Sequence, residues 1–128
     1  MTTADIVVVG AHLTGQPLNG QLAERGGVLV GAVTTAPVYR LFALETEPPK
    51  PGLLRVRRGG VAIAGERWRL SLEGFGSFVA AVPPPLAIGT LQLEDGPCHG
   101  FLCEPYAIDG AEDISDLGGW LAYVNRAG

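Results

Sequence analysis

The stretch Ile6–Asn19, IVVVGAHLTGQPLN, decides how the rest of the chain is interpreted. It opens with Ile6–Val9, an unbroken run of apolar, β-branched residues, and such a run predicts a fully buried strand. A loop of small residues follows, and it carries His12, one of the two histidines in the chain. A strand that ends in a turn with an ionisable side chain is a common design for a small-molecule site. The loop is therefore the leading candidate for function.

The loop Gly10–Gly15 has the features of an anion site. Its two terminal glycines permit backbone conformations that other residues resist. Successive amides after a strand can form a concave nest for a carboxylate or phosphate, and a short helix near Pro17 would add the positive end of its dipole. His12 could act there as an acid or base near neutral pH, or it could simply cap a surface turn. The pattern is neither GxGxxG nor a nucleotide-binding loop, so phosphate transfer is not indicated.

Hydrophobic periodicity outside this loop predicts many short elements. Strands are expected at Ile6–Val9, Val28–Thr35, Tyr39–Leu44, Leu53–Val56, Val61–Leu70, Leu86–Leu93 and His99–Cys103, the last two forming a hairpin around Glu94-Asp95-Gly96. Helices are expected at Pro17–Arg25, Ser71–Val82 and Asp113–Val124, with Glu45–Gly52 as a proline-rich loop. No long helices separate the strands, which disfavours a doubly wound sheet. We predict one α+β domain, residues 1–128, with a twisted, barrel-like sheet.

Composition narrows the class of protein. The length of 128 residues, with 47% hydrophobic and 17% charged residues, favours one compact domain over disorder. The net charge is −4, and the basic run RVRR at Arg55–Arg58 is interpreted as a solvated edge of the fold. A nucleic-acid partner is therefore not expected. Cys98 and Cys103 do not have zinc-site spacing, and we expect neither a metal nor a cofactor. No signal peptide or membrane-spanning run is recognisable, which predicts a cytoplasmic protein without a membrane partner.

Further polar residues could serve a site, the core or a helix cap. Pro37 interrupts strand pairing, so Thr35 and Tyr39 could face a cleft; the alternative for Tyr39 is a core tyrosine whose hydroxyl bonds a backbone carbonyl. Glu104 ends the apolar run GFLCE, where it could be a carboxyl group with a raised pKa or simply the point at which a strand reaches water. Asp113 and Ser115 fit the capping of the last helix.

Six segments carry a family resemblance between Ile6 and Val124. They are VVVGAHLTGQPLNGQLAERG, TTAPVYRLFAL, KPGLLRV, ERWRLSLEGFGSFVAAVPPPLAIGTLQLEDG, GFLCEPYA and AEDISDLGGWLAYV. In their order and spacing they resemble the C-terminal domain of allophanate hydrolase, within the γ-glutamyl cyclotransferase-like superfamily. The resemblance implies a small mixed β-barrel with helices. It also implies that the backbone amides of the Gly10–Gly15 loop receive a substrate carboxylate.

The resemblance further implies a reaction. In allophanate hydrolase an amidase domain releases ammonia, and the C-terminal domain has been assigned the decarboxylation of N-carboxycarbamate to carbamate. The expected ligand is therefore a small dicarboxylate, with His12 as the acid that protonates its nitrogen and Tyr39 as a second catalytic candidate. The amides of His12, Leu13 and Thr14 would hold one carboxylate, and Asn19 or Tyr39 the other, with Arg40 adding positive potential. The expected binding set is completed by Gly10, Ala11, Gly15, Leu18, Thr35 and Glu104.

Three functions are consistent with these expectations. The first is decarboxylation or hydrolysis of a urea-derived dicarboxylate in urea and allophanate catabolism. The second is a non-catalytic carboxylate-binding module that partners a separately encoded amidase, since 128 residues leave no room for an amidase domain and imply a stand-alone relative or a unit of a larger chain. The third is γ-glutamyl cyclotransferase activity with Glu73 or Glu104 as base, although GAHL stands where cyclotransferases carry YGSN-like residues. A homo-oligomer is compatible with each.

Overall fold

A computed structural model describes residues 2–126 and contains eight strands and five short helices in that range. The strands are β1 Thr3–Val8, β2 Val28–Thr34, β3 Tyr39–Leu44, β4 Lys50–Arg55, β5 Ala64–Ser71, β6 Leu86–Leu93, β7 Gly96–Cys103 and β8 Glu112–Asp113. The α-helices are α1 Gly20–Ala23, α2 Leu72–Ala80 and α3 Trp120–Asn125, and 3-10 turns lie at Pro105–Ile108 and Ser115–Leu117. The predicted α+β class is confirmed.

The strands form two open sheets. Five strands are ordered β2-β5-β1-β7-β6, and three are ordered β4-β3-β8. The expectation of a barrel-like sheet is too strong, because neither sheet closes on itself. None of the helices in the part of the chain that the structure describes is long and apolar enough to cross a bilayer.

Strand β1 lies at the centre of the larger sheet. It pairs antiparallel with β5 and parallel with β7, where Ile6 lies opposite His99. Ile6, Val7 and Val8 are fully buried, which confirms the interpretation of their apolar run. Because β1 is central, the loop that follows it emerges in the interior of the fold and not at an edge.

Strand β4 begins earlier than expected. Lys50–Gly52, predicted as part of a loop, are its first residues, and Pro51 pairs with Ala43. Since β4 is an edge strand, the missing N–H of Pro51 can face away from the ladder. The Pro51 ring lies against Gly10, where a Cβ atom would fall 2.2 Å from Pro51 Cδ. This close approach brings the start of β4 onto the candidate loop.

Local patterns predicted the middle of the chain well. The helix after Ser71 is present as α2, and the Ser71 hydroxyl accepts a hydrogen bond from the Gly74 amide at 3.0 Å, as a capping residue should. The hairpin of β6 and β7 also forms as predicted. The buried side chain of α2 is Phe78, however, whereas Leu72 at its first position is 50% exposed.

The C-terminal prediction is wrong. Instead of one helix over Asp113–Val124 there are β8, a 3-10 turn and the short helix α3. Gly118 separates the last two with φ 84°, a left-handed conformation that favours glycine and interrupts a helix. Asp113 is not the N-cap of the 3-10 turn, which is Ile114, but its carboxylate accepts a hydrogen bond from the Ser115 amide at 3.0 Å. The first helix, predicted over Pro17–Arg25, is likewise shorter.

Candidate functional site

The imidazole of His12 is buried and held on three sides. Only 6% of the residue is exposed. Its ring stacks on Phe101 of β7 with centroids 5.0 Å apart and meets the edge of Phe78 of α2 at 5.1 Å. Nε2 lies 3.0 Å from Oε1 of Gln21 in α1, so the arrangement assigns the proton to Nε2 and leaves Nδ1 as an acceptor. His12 is therefore no surface cap; it is an oriented, enclosed titratable group.

The surroundings of His12 favour its neutral form. Burial lowers the pKa of the imidazole below its usual value; the hydrogen bond with Gln21 raises it, and the positive charge of Lys50 lowers it. The net direction is downward. At neutral pH the protein therefore presents mainly an uncharged imidazole.

A cleft opens beside this ring, and we call it the His12 cleft. Its volume is about 170 Å³, and its walls come from the loop after β1, α1, the segment before β4, the end of α2, β6 and β7. The residues that matter for its chemistry are His12, Leu18, Gln21, Glu47, Lys50 and Phe101. A recess of about 10 Å³ beside Gly10 and Ala11 shares His12, Lys50, Leu86 and Phe101 with it. Of the predicted binding residues, Leu18 lines this cleft, and Gly10 and Ala11 line the recess.

Lys50 is the functional residue that the sequence did not reveal. It lines both the cleft and the recess, yet only 6% of the residue is exposed. Among residues 2–126, no carboxylate lies within 4.0 Å of its ammonium. An enclosed side chain whose ammonium still reaches solvent, and which has no carboxylate partner among residues 2–126, is available to pair with an anion. Three nearby prolines suggested a solvated loop, which concealed this residue.

The backbone of the loop supplies fewer free donors than expected. The Leu13 amide donates to the Gly10 carbonyl at 3.0 Å, and the Thr14 amide donates to a carboxylate oxygen of Glu66 at 2.9 Å. The expectation that these two amides hold a substrate carboxylate is therefore wrong for this conformation. The amides of Ala11 and His12 have no hydrogen-bond acceptor within the described range, residues 2–126, and they remain the donors of the loop.

Asn19 and Gly15 serve the loop and not the ligand. The Asn19 side-chain amide donates to the His12 carbonyl at 2.8 Å, so it fixes the loop that carries the imidazole. Gly15 has φ 83° and faces open space, as the turn requires. Neither residue lines the His12 cleft. Asn19 is thus a positioning residue.

Four predicted candidates lie outside the cleft. Tyr39 is fully buried and its hydroxyl accepts from the Gln92 amide at 2.8 Å, which makes it a core tyrosine. Thr35 is also buried; its hydroxyl accepts from the Ile63 amide and donates to the Ala36 carbonyl. Glu104 is exposed where β7 reaches water. Arg40 is paired with Asp113 at 3.0 Å, so Lys50 and not Arg40 supplies the local positive charge.

Neither of the two candidate bases for cyclotransferase activity lies at the His12 cleft. Glu73 is exposed in the first turn of α2, and Glu104 is exposed beyond β7. Neither side chain lines the His12 cleft or its recess. The only carboxylate at the cleft, among the described residues, is the exposed Glu47. The geometry therefore favours anion binding over base catalysis.

Comparison with solved structures defines the fold class. An AIG2-like protein from Mus musculus superposes with a TM-score of 0.66 at 20% identity over 85% of this chain and 82% of that chain. At this identity the likeness shows a shared fold alone. The resemblance inferred from the six segments is thereby confirmed at the level of the fold.

Sequence comparison also identifies the family to which the chain belongs. The model of the allophanate hydrolase C-terminal domain matches residues 4–125, and the chain belongs to this family. Urea amidolyase from Saccharomyces cerevisiae is 41% identical over 95% of this chain, which spans only 7% of that protein. Allophanate hydrolase from Kluyveromyces lactis superposes with a TM-score of 0.95 at 36% identity, over 100% of this chain and 22% of that chain. A uropathogenic E. coli-specific protein superposes with a TM-score of 0.89 at 34% identity, over 97% of each chain.

Proposed function

We propose that the His12 cleft binds a small dicarboxylate and that the protein catalyses the decarboxylation of N-carboxycarbamate to carbamate. One observation carries the proposal: Lys50, buried and without an ion-pair partner among residues 2–126, shares a small cleft with an oriented imidazole. A volume of about 170 Å³ is below the usual range of pockets for larger ligands, so it suits a compact anion.

The names of the relatives support this choice of substrate. Proteins called allophanate hydrolase and urea amidolyase contain a unit similar to this chain, although that unit is a small part of each. N-carboxycarbamate carries two carboxylates on one nitrogen and is therefore a compact dianion. The ammonium of Lys50 and the amides of Ala11 and His12 are the complementary donors.

The reaction needs one proton at one atom. As the C–N bond breaks, its electron pair stays on nitrogen, carbon dioxide leaves, and a proton must reach the nitrogen to give carbamate. His12 is the titratable group in position to deliver that proton, because its ring lies in the wall of the cleft and is fixed by Gln21 and Phe101. One positioned acid typically contributes roughly 100- to 10,000-fold in rate.

The test follows carbon dioxide release while an amidase generates N-carboxycarbamate from allophanate in the same solution. We expect this protein to accelerate release and His12→Gln to lose roughly 100-fold or more of that acceleration. His99→Gln is the matched control, because His99 is exposed on β7 and packs on Phe75, outside the cleft. Equal acceleration by the His12 variant and the unmodified protein would refute the catalytic role.

A carboxylate-binding module without catalysis is the second candidate. The neutral state of His12 favours it, since an uncharged imidazole is a poor proton donor. This alternative predicts saturable binding of malonate, an unreactive dicarboxylate of similar size, with carbon dioxide released no faster than in buffer. The same two measurements therefore separate the two candidates.

A further inference from the structure

We propose that Lys50 determines the specificity of the His12 cleft for ligands with two negative charges, and that pairing of a carboxylate with Lys50 is coupled to uptake of a proton by His12. This inference rests on the proposed function in one respect, that the His12 cleft is the ligand site. It adds the group that selects the ligand and the event that converts the imidazole into an acid.

The charge of Lys50 is not neutralised by any carboxylate among residues 2–126. The residue is 6% exposed at the start of β4, where Pro51 packs on Gly10 and Leu44 lies opposite in the ladder. The six ion pairs found within residues 2–126 do not include it. The Lys50 side chain is enclosed while its ammonium still reaches solvent, so a ligand carboxylate can pair with it and thereby stabilise the folded protein.

The arrangement of donors around the His12 ring favours a ligand with two carboxylates. Ala11, His12 and Lys50 line the same recess, and the Lys50 ammonium and the amides of Ala11 and His12, unpaired within residues 2–126, are two different kinds of donor for negative charge. A ligand with one carboxylate can satisfy one of them and leaves the other desolvated and unpaired. Rejection of a ligand that lacks a required polar group is stronger than rejection by size alone, because buried donors are then left without partners.

The groups that face His12 determine how readily its imidazole is protonated. Gln21 of α1, Phe78 of α2 and Phe101 of β7 contact the ring and are uncharged. The charged groups that line the same cleft are Lys50 and the exposed Glu47.

Other charges lie near this region but outside the cleft. Glu66 accepts a hydrogen bond from the Thr14 amide at 2.9 Å, Glu24 pairs with Arg25 at 3.1 Å, and neither carboxylate lines the His12 cleft or its recess. Arg25 is the cation beside Phe78. It lies 6.0 Å from the centroid of the Phe78 ring, and it lines neither the His12 cleft nor its recess. Of these charges, Lys50 is the one that opposes protonation of the imidazole from within the site.

Ligand binding therefore changes the sign of the field at the imidazole. Burial, and in addition the charge of Lys50, lower the pKa of His12 when no anion is present. A bound dianion cancels the Lys50 charge and adds negative charge beside the ring, and both changes raise the pKa. Between the two pKa values the protein binds a proton together with its ligand. The acid then exists when substrate is bound and not before.

The specificity is tested by calorimetry with malonate and with malonamate, which has nearly the same shape and one charge fewer. We expect malonate to bind at least tenfold more tightly to the unmodified protein, and Lys50→Met to abolish that preference. Lys50→Arg retains the charge and should retain a preference. Glu47→Gln removes an opposing charge at the same cleft and should strengthen malonate binding or leave it unchanged.

A stability measurement shows whether Lys50 acts through the ligand or through the fold. Without ligand, Lys50→Met should unfold at nearly the same temperature as the unmodified protein, because methionine keeps most of the enclosed aliphatic stem and Lys50 has no ion pair within residues 2–126 to lose. Malonate should raise the unfolding temperature of the unmodified protein and not that of the variant. A Lys50→Met protein that binds malonate as tightly as the unmodified chain overturns the specificity role. Equal affinity of the unmodified protein for the two ligands overturns it without any variant.

Proton uptake is tested by NMR titration of the imidazole. His99→Gln leaves His12 as the one histidine of the chain, so its signals need no further assignment. We expect malonate to raise the His12 pKa by about one unit or more, which is a tenfold change in proton affinity. When Lys50→Met is combined with His99→Gln, the His12 pKa should be higher without malonate and should rise less when malonate is added. A His12 pKa that malonate leaves unchanged overturns the coupling.

The outcomes separate this inference from the proposed function. If malonate fails to bind the unmodified protein, the His12 cleft is not a dicarboxylate site and both proposals fall. If malonate binds but shows neither a charge preference nor a shift in the His12 pKa, the inference falls alone.

Discussion

The chemistry of His12 depends on residues that are distant in the sequence. Its place in a loop after a buried strand marks it as a candidate in the sequence. Its chemistry, however, is set by Phe78 and Phe101, which enclose the ring, and by Lys50, which opposes its protonation. These partners lie between 38 and 89 positions along the chain, counted as the differences between residue numbers 50, 101 and 12. No local pattern around His12 could have named them.

The lowered pKa of His12 makes a prediction about stability and pH. The imidazole binds a proton more readily in the unfolded chain, where its pKa is near 6.5, than in the folded protein. Its contribution to stability is thus fully present above about pH 6.5 and is lost as pH falls towards the lower folded-state pKa. We expect urea unfolding at pH 7.5 and 5.5 to show a larger loss of unfolding free energy for the unmodified protein than for His12→Gln. Equal losses would show that His12 is not buried in its neutral form.

Lys50, unlike His12, could not be recognised as a candidate from the sequence. A lysine among prolines is usually a solvated loop residue, and composition offers no reason to treat this one differently. The contact between Pro51 and Gly10 changes the outcome, because it joins β4 to the end of β1. The enclosure of the Lys50 side chain follows from that tertiary contact and is not visible in the sequence.

At the scale of elements, the predictions succeeded where the determining interactions are local. The β6–β7 hairpin depends on its turn, α2 on the hydroxyl of its capping residue Ser71, and β3 on its alternating pattern. The predictions failed where packing decides. Helix α2 buries Phe78 because that side chain meets His12 and Phe101, and Gly118 divides what looked like one C-terminal helix.

The junction of β1 and β4 can be tested with two glycine substitutions. A methyl group at Gly10 would fall 2.2 Å from Pro51 Cδ, so Gly10→Ala must displace β4. We expect a loss of about 1–3 kcal/mol in unfolding free energy, the usual cost of overpacking, and weaker malonate binding because Lys50 moves with its strand. Urea unfolding and calorimetry provide the two measurements.

Gly76→Ala is the matched control for this junction. Gly76 lies in α2 with open space at its Cβ position, so the substitution should stabilise the protein by roughly 0.5–1 kcal/mol through helix propensity. Malonate binding should not change. If Gly10→Ala were as well tolerated as Gly76→Ala, the close contact between the loop and β4 would not exist in solution.

At the scale of the whole molecule, the arrangement of the sheets could not have been derived from periodicity. The α+β class follows from the short, turn-rich elements. The parallel pairing of β1 with β7, however, joins Ile6 to His99 across most of the chain, and it places the candidate loop in the interior. The family resemblance supplied the fold here, while the residues alone indicated many short strands.

The whole molecule also offers a competing place for an anion. A second cleft of about 420 Å³ lies beside the N-terminal half of β1 and contains Arg67 and Arg69. Both arginines are paired with Asp5 at 2.7 Å, and their hydrogen bonds lower the pKa of that carboxyl group despite its burial. Their charges are therefore partly neutralised, whereas Lys50 has no such partner in the described part of the chain. This difference, and not cavity size, favours the His12 cleft.

A crystal structure of the protein with malonate is the most direct test of the anion site. We expect electron density for the ligand in the His12 cleft, with one carboxylate on the Lys50 ammonium and the other on the amides of Ala11 and His12. Density for malonate on Arg67 and Arg69 in the second cleft, with the His12 cleft free of ligand, would contradict the account.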